Sequence, residues 1–136
     1  MPCPFFEPVE AVARPEYPGA RLPLFEEYDG RCHATGTPAA APTELRFRHC
    51  NHGYSNGCCP YFPANEGRSA IRFDILGQSA EMLSLLYIEE HEHAPLRWQN
   101  IRYSIAAGTL DPVLPDACTQ AQAQAFCVSF LRRFSA

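Results

Sequence analysis

Ten of the 13 prolines fall within residues 1–63. Proline donates no amide hydrogen to a ladder and fixes φ, so this half is barred from long helices and central strands. The expectation is an irregular wrapping segment with short extended pieces, such as Arg21 to Tyr28 running into a turn at Asp29-Gly30. Gly36 to Pro42 reads as an exposed connector. Thr43 is placed to cap a short helix from Glu44 to about Asn51, with Gly53 as its stop. Asn56-Gly57 marks a tight turn ahead of Cys58 and Cys59.

The rest of the chain is periodic. Ala70 to Leu76 alternates as a half-buried strand with Ile71, Phe73 and Ile75 on one face. Gly77-Gln78-Ser79 turns the chain, Met82 to Glu90 returns as a hairpin partner, and Arg97 to Ile105 supplies a third strand. Asp116 is placed to cap a helix running to about Phe134, with Phe126, Phe130 and Phe134 at four-residue spacing and Arg132 and Arg133 in the last turn. The fold class expected is α+β: a small antiparallel β-meander packed by a C-terminal helix, with a Pro/Cys-rich N-terminal half tied by a metal site. No repeat or composition break divides residues 1–136, which read as one domain with a metal-binding part (1–65) and a hairpin, strand and helix part (66–136).

Charge narrows the function. Fifteen acidic residues against 11 basic ones give a net charge of -4, so no broad basic surface for nucleic acid is expected. Every basic residue is Arg, which removes the P-loop lysine and the Schiff-base lysine together. No apolar run approaches a membrane span and the first residues do not resemble a signal peptide, so the chain reads as cytoplasmic, without a membrane partner.

Seven cysteines are many for such a chain, and the odd count argues against a pure disulfide framework. Cys118 and Cys127 lie nine residues apart on the expected helix, on opposite faces and about 13 Å apart along its axis, so they cannot share one ion. Ordinary packing explains Cys127, and Cys118 reads as incidental. Cys3, Cys32, Cys50, Cys58 and Cys59 sit in the proline-rich half, where ligation can replace missing burial. Cys3 and Cys59 are each followed by proline, a step seen at iron–sulfur ligands. Adjacent cysteines rarely aim both sulfurs at one site, so the expected ligands are Cys3, Cys32, Cys50 and Cys59, with Cys58 as substitute. The expected cofactor is an iron–sulfur cluster, 4Fe-4S favoured, with zinc as the alternative. The absence of any C-x-x-C pair excludes zinc ribbons and the compact ferredoxin run.

The expected function is a small metal-binding protein with an electron-transfer, redox-sensing or structural role and an unidentified redox or protein partner. Two other readings remain: a zinc-stabilised interaction module, and a thiol-dependent enzyme pairing Cys50 or Cys59 with a nearby His, since His33, His49 and His52 flank cysteines. Whether the chain is an enzyme stays open, leaning to no. Glu89, His91 and His93 would share one face of an extended strand, as a metal or acid–base set requires, although a solvated strand end protecting an edge is the favoured reading. Trp98 and Tyr103 read as core and strand packing.

Overall fold

The computed structural model describes residues 2–54, 58–63 and 67–134. The proline-rich half builds more order than its composition predicts. Strands β1 (Phe6–Ala11), β2 (Tyr28–Cys32) and β3 (Ala39–Ala40) form a three-stranded antiparallel sheet in that order. Pro8 is tolerated inside β1 because the register slips there, between Pro8 and Glu10. Gly30 lies opposite Pro8, and a Cβ at Gly30 would sit 2.0 Å from the Glu7 carbonyl oxygen. Asp29-Gly30 is therefore strand rather than turn, glycine serving close approach of two backbones. The extended piece expected over Arg21 to Tyr28 is instead a run of turns and bends up to β2. Within the expected connector Gly36 to Pro42, Ala39 and Ala40 pair with Cys32 and Arg31 as an edge strand.

Helix α1 (Thr43–Leu45) continues into a π-helical turn, Arg46–Cys50, whose wider winding is closed by the Asn51 N–H donating to the Arg46 carbonyl at 3.0 Å. Thr43 is not the cap. Pro42 occupies that position without a side-chain bond, where its missing N–H costs nothing. Gly53, at φ 76°, ends the turn as expected, donating to the His49 carbonyl. The expected Asn56-Gly57 turn lies outside the described residues.

Strands β4 (Ala70–Gln78), β5 (Met82–His91), β6 (Ala94–Ser104) and β7 (Thr109–Asp111) form a four-stranded antiparallel meander. β4 runs through Gly77 by a bulge, and the reversal falls at Ser79–Glu81, where the Ser79 hydroxyl accepts the Met82 N–H. One face of the sheet carries the buried residues Ile71, Phe73, Leu83, Leu85, Tyr87, Ile101 and Tyr103. Helix α2 (Ala117–Phe134) covers that core, its N-terminus capped by Asp116 Oδ1, which accepts the N–H groups of Cys118 and Thr119 at 2.9 and 3.0 Å. α2 touches β1 as well as β4 and β7. Having neighbours on more than one side explains why Cys118 and Cys127, on opposite faces, are both buried. Cys118 is thus packed rather than incidental. Phe25 closes the far end against Phe126, Phe130 and Phe134, with ring centroids 5.1 to 5.8 Å away.

Trp98 is the chief departure from the expected core. It is 66% exposed, pairing with Ile88 on the sheet face turned away from α2. Among the described residues no helix is long and apolar enough to cross a membrane.

Candidate four-cysteine site

Four separate segments deliver one cysteine each. Cys3 precedes β1, Cys32 ends β2, Cys50 ends the π-helical turn, and Cys59 lies in the 58–63 segment. All four line one small cavity, walled also by Phe5, Phe6, Ala34, His49, Tyr61 and Phe62. The space that water can occupy there is about 20 Å³, within a void of about 310 Å³ that includes its mouth to solvent. Cys58 is exposed and does not line it, and Cys118 and Cys127 lie outside it. None of the seven thiols is in a disulfide.

Backbone pairing sets this arrangement. The Cys3 N–H donates to the Cys50 carbonyl at 3.1 Å, and the His33 N–H donates to the Phe5 carbonyl at 2.8 Å. Cys32 stands opposite Phe6 in the β1–β2 register. Phe62 turns back on Cys59, its N–H donating to that carbonyl at 3.1 Å, and its ring meets Phe5 edge-on at 5.4 Å.

Two buried amide side chains fasten the loops to the framework, and the sequence reading missed both. Gln122, in the middle of α2, donates from Nε2 to the carbonyls of Cys3 at 2.7 Å and Phe6 at 2.8 Å. Asn51 mimics a strand neighbour: its Oδ1 accepts the Tyr28 N–H at 2.9 Å, and its Nδ2 donates to the carbonyls of Tyr28 and Arg46. A signal existed for Gln122. It lies four residues before Phe126 on the core face, where a polar residue is out of pattern. Asn51 carries no comparable mark, because its partner Tyr28 is 23 residues away.

The thiols differ in environment. Burial pushes Cys3 up to about 12, opposed by a backbone hydrogen bond from Phe5, raised further by Cys32 and Cys59, and opposed again by Arg68. Burial also pushes Cys50 up to about 12, reinforced by Cys3, Cys32 and Cys59 and opposed by Arg46. Among the described residues, however, no group of three or more His, Cys, Asp or Glu side chains is placed so that it could hold a metal ion.

The histidines separate. His33 pairs with Glu7 at 2.8 Å, and His52 Nδ1 meets the Phe47 carbonyl at 2.6 Å. Only His49 of the three lines the cavity. The Glu89-to-His93 set does not form a common face. β5 ends at His91, and Glu92 and His93 make the hairpin turn at φ 49° and 68°. The alternative of a solvated strand end fails as well, because β5 is an inner strand and Glu89 and Glu90 are buried. Glu89 takes Arg68 and Arg97, Glu90 takes Arg72 and the Tyr54 hydroxyl, and His93 stacks on the Tyr54 ring at 4.0 Å.

No protein-family model, curated protein or solved structure matches the chain.

Proposed function

We propose that this protein binds a metal centre through Cys3, Cys32, Cys50 and Cys59, and that the centre is an iron–sulfur cluster, 4Fe-4S, serving electron transfer, redox sensing or structural support in the cytoplasm. The carrying observation is that four cysteines scattered from position 3 to position 59 line a single cavity, while exposed Cys58 and the helix cysteines do not.

The donor set suits the reading. Four thiols are soft ligands of the kind that hold clusters or zinc, and among the described residues no carboxylate lines the cavity to favour a hard cation. Phe5, Phe6, Tyr61 and Phe62 limit water at the sulfurs, and the Phe5 N–H bond to Cys3 is a contact that tunes a cluster thiolate. Seating a cluster requires the walls to open, and of the lining residues Tyr61 is 47% exposed.

The second reading is one structural zinc, for which four thiols lining one cavity are the same donor set. The thiol-enzyme reading has less support. Burial that raises the Cys50 thiol lowers its thiolate fraction at neutral pH, the reverse of what a nucleophile needs.

Anaerobic purification, a visible spectrum and metal analysis test the proposal. Brown protein whose broad absorbance bleaches with dithionite is expected. Colourless protein with stoichiometric zinc establishes the second reading, and protein with neither metal overturns both. Serine at Cys3, Cys32, Cys50 or Cys59 should abolish binding, whereas serine at Cys58, Cys118 or Cys127 should retain it.

A further inference from the structure

A larger cavity lies where the connection from β1 to β2 passes the last turn of α2. Water can occupy about 400 Å³ of it, a volume within the usual range of small-molecule sites. Val12, Pro15, Pro18, Leu22 and Phe25 are among its apolar walls, and no cysteine lines it. Pro15 and Pro18 fix φ along one wall, and the Tyr17 ring beside them packs on Phe47 at 4.7 Å between centroids. The cavity is thus held open by stiff backbone and a packed ring.

Charge at the cavity is unevenly spent. Among the described residues four charged side chains line it: Glu26, Glu27, Arg132 and Arg133. Glu26 pairs with Arg132 at 2.6 Å, and Glu27 pairs at 2.8 Å with Arg46, which is not a lining residue. Both carboxylates are therefore satisfied. Arg133 donates at 2.9 Å to a neutral group, the Phe25 carbonyl, and no carboxylate among the described residues lies within ion-pair distance of it. It is the surplus cation of the cavity.

Phe25 itself is unusual. Its φ of 67° is left-handed, a conformation that a bulky residue adopts only at an energetic cost. Strain of this kind collects where a backbone is held ready for a ligand. Complementing the α2 dipole accounts for basic residues in a last turn. It leaves unexplained why Arg133 reaches across to the strained residue on the cavity wall.

We propose that this cavity binds a small amphiphile with an apolar body and a single carboxylate, the body against Leu22 and the proline wall and the carboxylate taken by Arg133. A guanidinium carries five N–H donors in a fork that fits a carboxylate, and Phe25 engages one of them. A dianion would leave its second charge without a cation, since Arg132 already serves Glu26. The proposal does not depend on the metal-binding reading.

Isothermal titration of the full chain at pH 8 with octanoate, neutral octanamide and octyl phosphate tests it, with circular dichroism to verify the fold of each variant. Octanoate should bind saturably with Kd of about 1 mM or tighter. Octanamide and octyl phosphate should each bind at least about threefold more weakly, the scale of one charge pair at an open rim. Arg133→Gln should erase the preference for octanoate over octanamide, and Ala20→Trp, which fills the cavity from its lining, should abolish binding of both. If one variant misfolds, the other decides together with the wild-type comparison. No saturable octanoate binding by about 10 mM overturns the proposal. Octanamide or octyl phosphate binding as tightly as octanoate overturns it too, as does octanoate binding unchanged in a folded variant.

Discussion

Replacing Gln122 by Met removes the amide while nearly conserving volume, which isolates the polar contribution of the helix to the Cys3 loop. Gln122 is fully buried and donates to two carbonyls, those of Cys3 and Phe6. The Cys3 carbonyl keeps a second donor, the Phe6 N–H at 3.1 Å, so its loss is one hydrogen bond, about 1 kcal/mol. The Phe6 carbonyl loses a buried partner, at about 1–3 kcal/mol. Against this, Gln122 Oε1 is buried without a partner among the described residues, and removing it returns about 1 kcal/mol. The expected net destabilisation is about 2 kcal/mol for Gln122→Met, and about 2 kcal/mol more for Gln122→Ala, which also leaves a cavity. Urea unfolding of wild type and both variants measures the difference, and amide exchange should quicken at residues 3–6 before it does in β4 to β6. A Met variant within about 0.5 kcal/mol of wild type would refute the reasoning, because the two bonds would then offset nothing.

Gly30→Ala should destabilise by about 3 kcal/mol, since its Cβ would collide with the Glu7 carbonyl at 2.0 Å and one strand must move. Gly19→Ala, with nothing within 4 Å, should be near neutral in the same thermal melts. For Asp116, burial alone would raise the carboxyl, but the Thr119 N–H and the Arg68 guanidinium outweigh it and hold the group below its ordinary value of 3.8. A depressed carboxyl contributes stability that is present above its unfolded value and lost as pH falls through the folded one. Acid titration of stability from pH 5 downward should therefore be shallower in Asp116→Asn than in wild type, and parallel curves would refute the assignment.

What the sequence disclosed was local. β4 and β5 announce themselves through Ile71, Phe73 and Ile75 and the apolar run after Met82, and α2 through Asp116 and its phenylalanines. These patterns are complete within one element. The small sheet was hidden because its signals are split: Pro8 argues against a strand, and only the glycine 22 residues later, opposite it in the register, removes the objection. Cys59 was preferred over Cys58 with the proline that follows it in view, and Cys59 lines the cavity where Cys58 does not, yet the fastening by Asn51 and Gln122 is tertiary and left little trace. Trp98 shows the converse error. A strand in a two-layer packing has one covered face, and composition alone does not say which residues stand on it.

The bond between Gln122 and Cys3 spans 119 residues of chain. Synthesis proceeds from Cys3 toward Gln122, at roughly 5–20 residues per second. The first cysteine to emerge thus waits roughly 6–24 s before the side chain that fastens its loop has been made. For about the second half of that interval Cys3, Cys32, Cys50 and Cys59 are all present, while the helix that packs behind them is not complete. Closing so long a loop is slow compared with forming the β4–β5 hairpin, so the meander should be in place before the first strand docks. The nascent chain therefore holds its four thiols in an open state, and the amide of Gln122 is among the last contacts to latch that state shut.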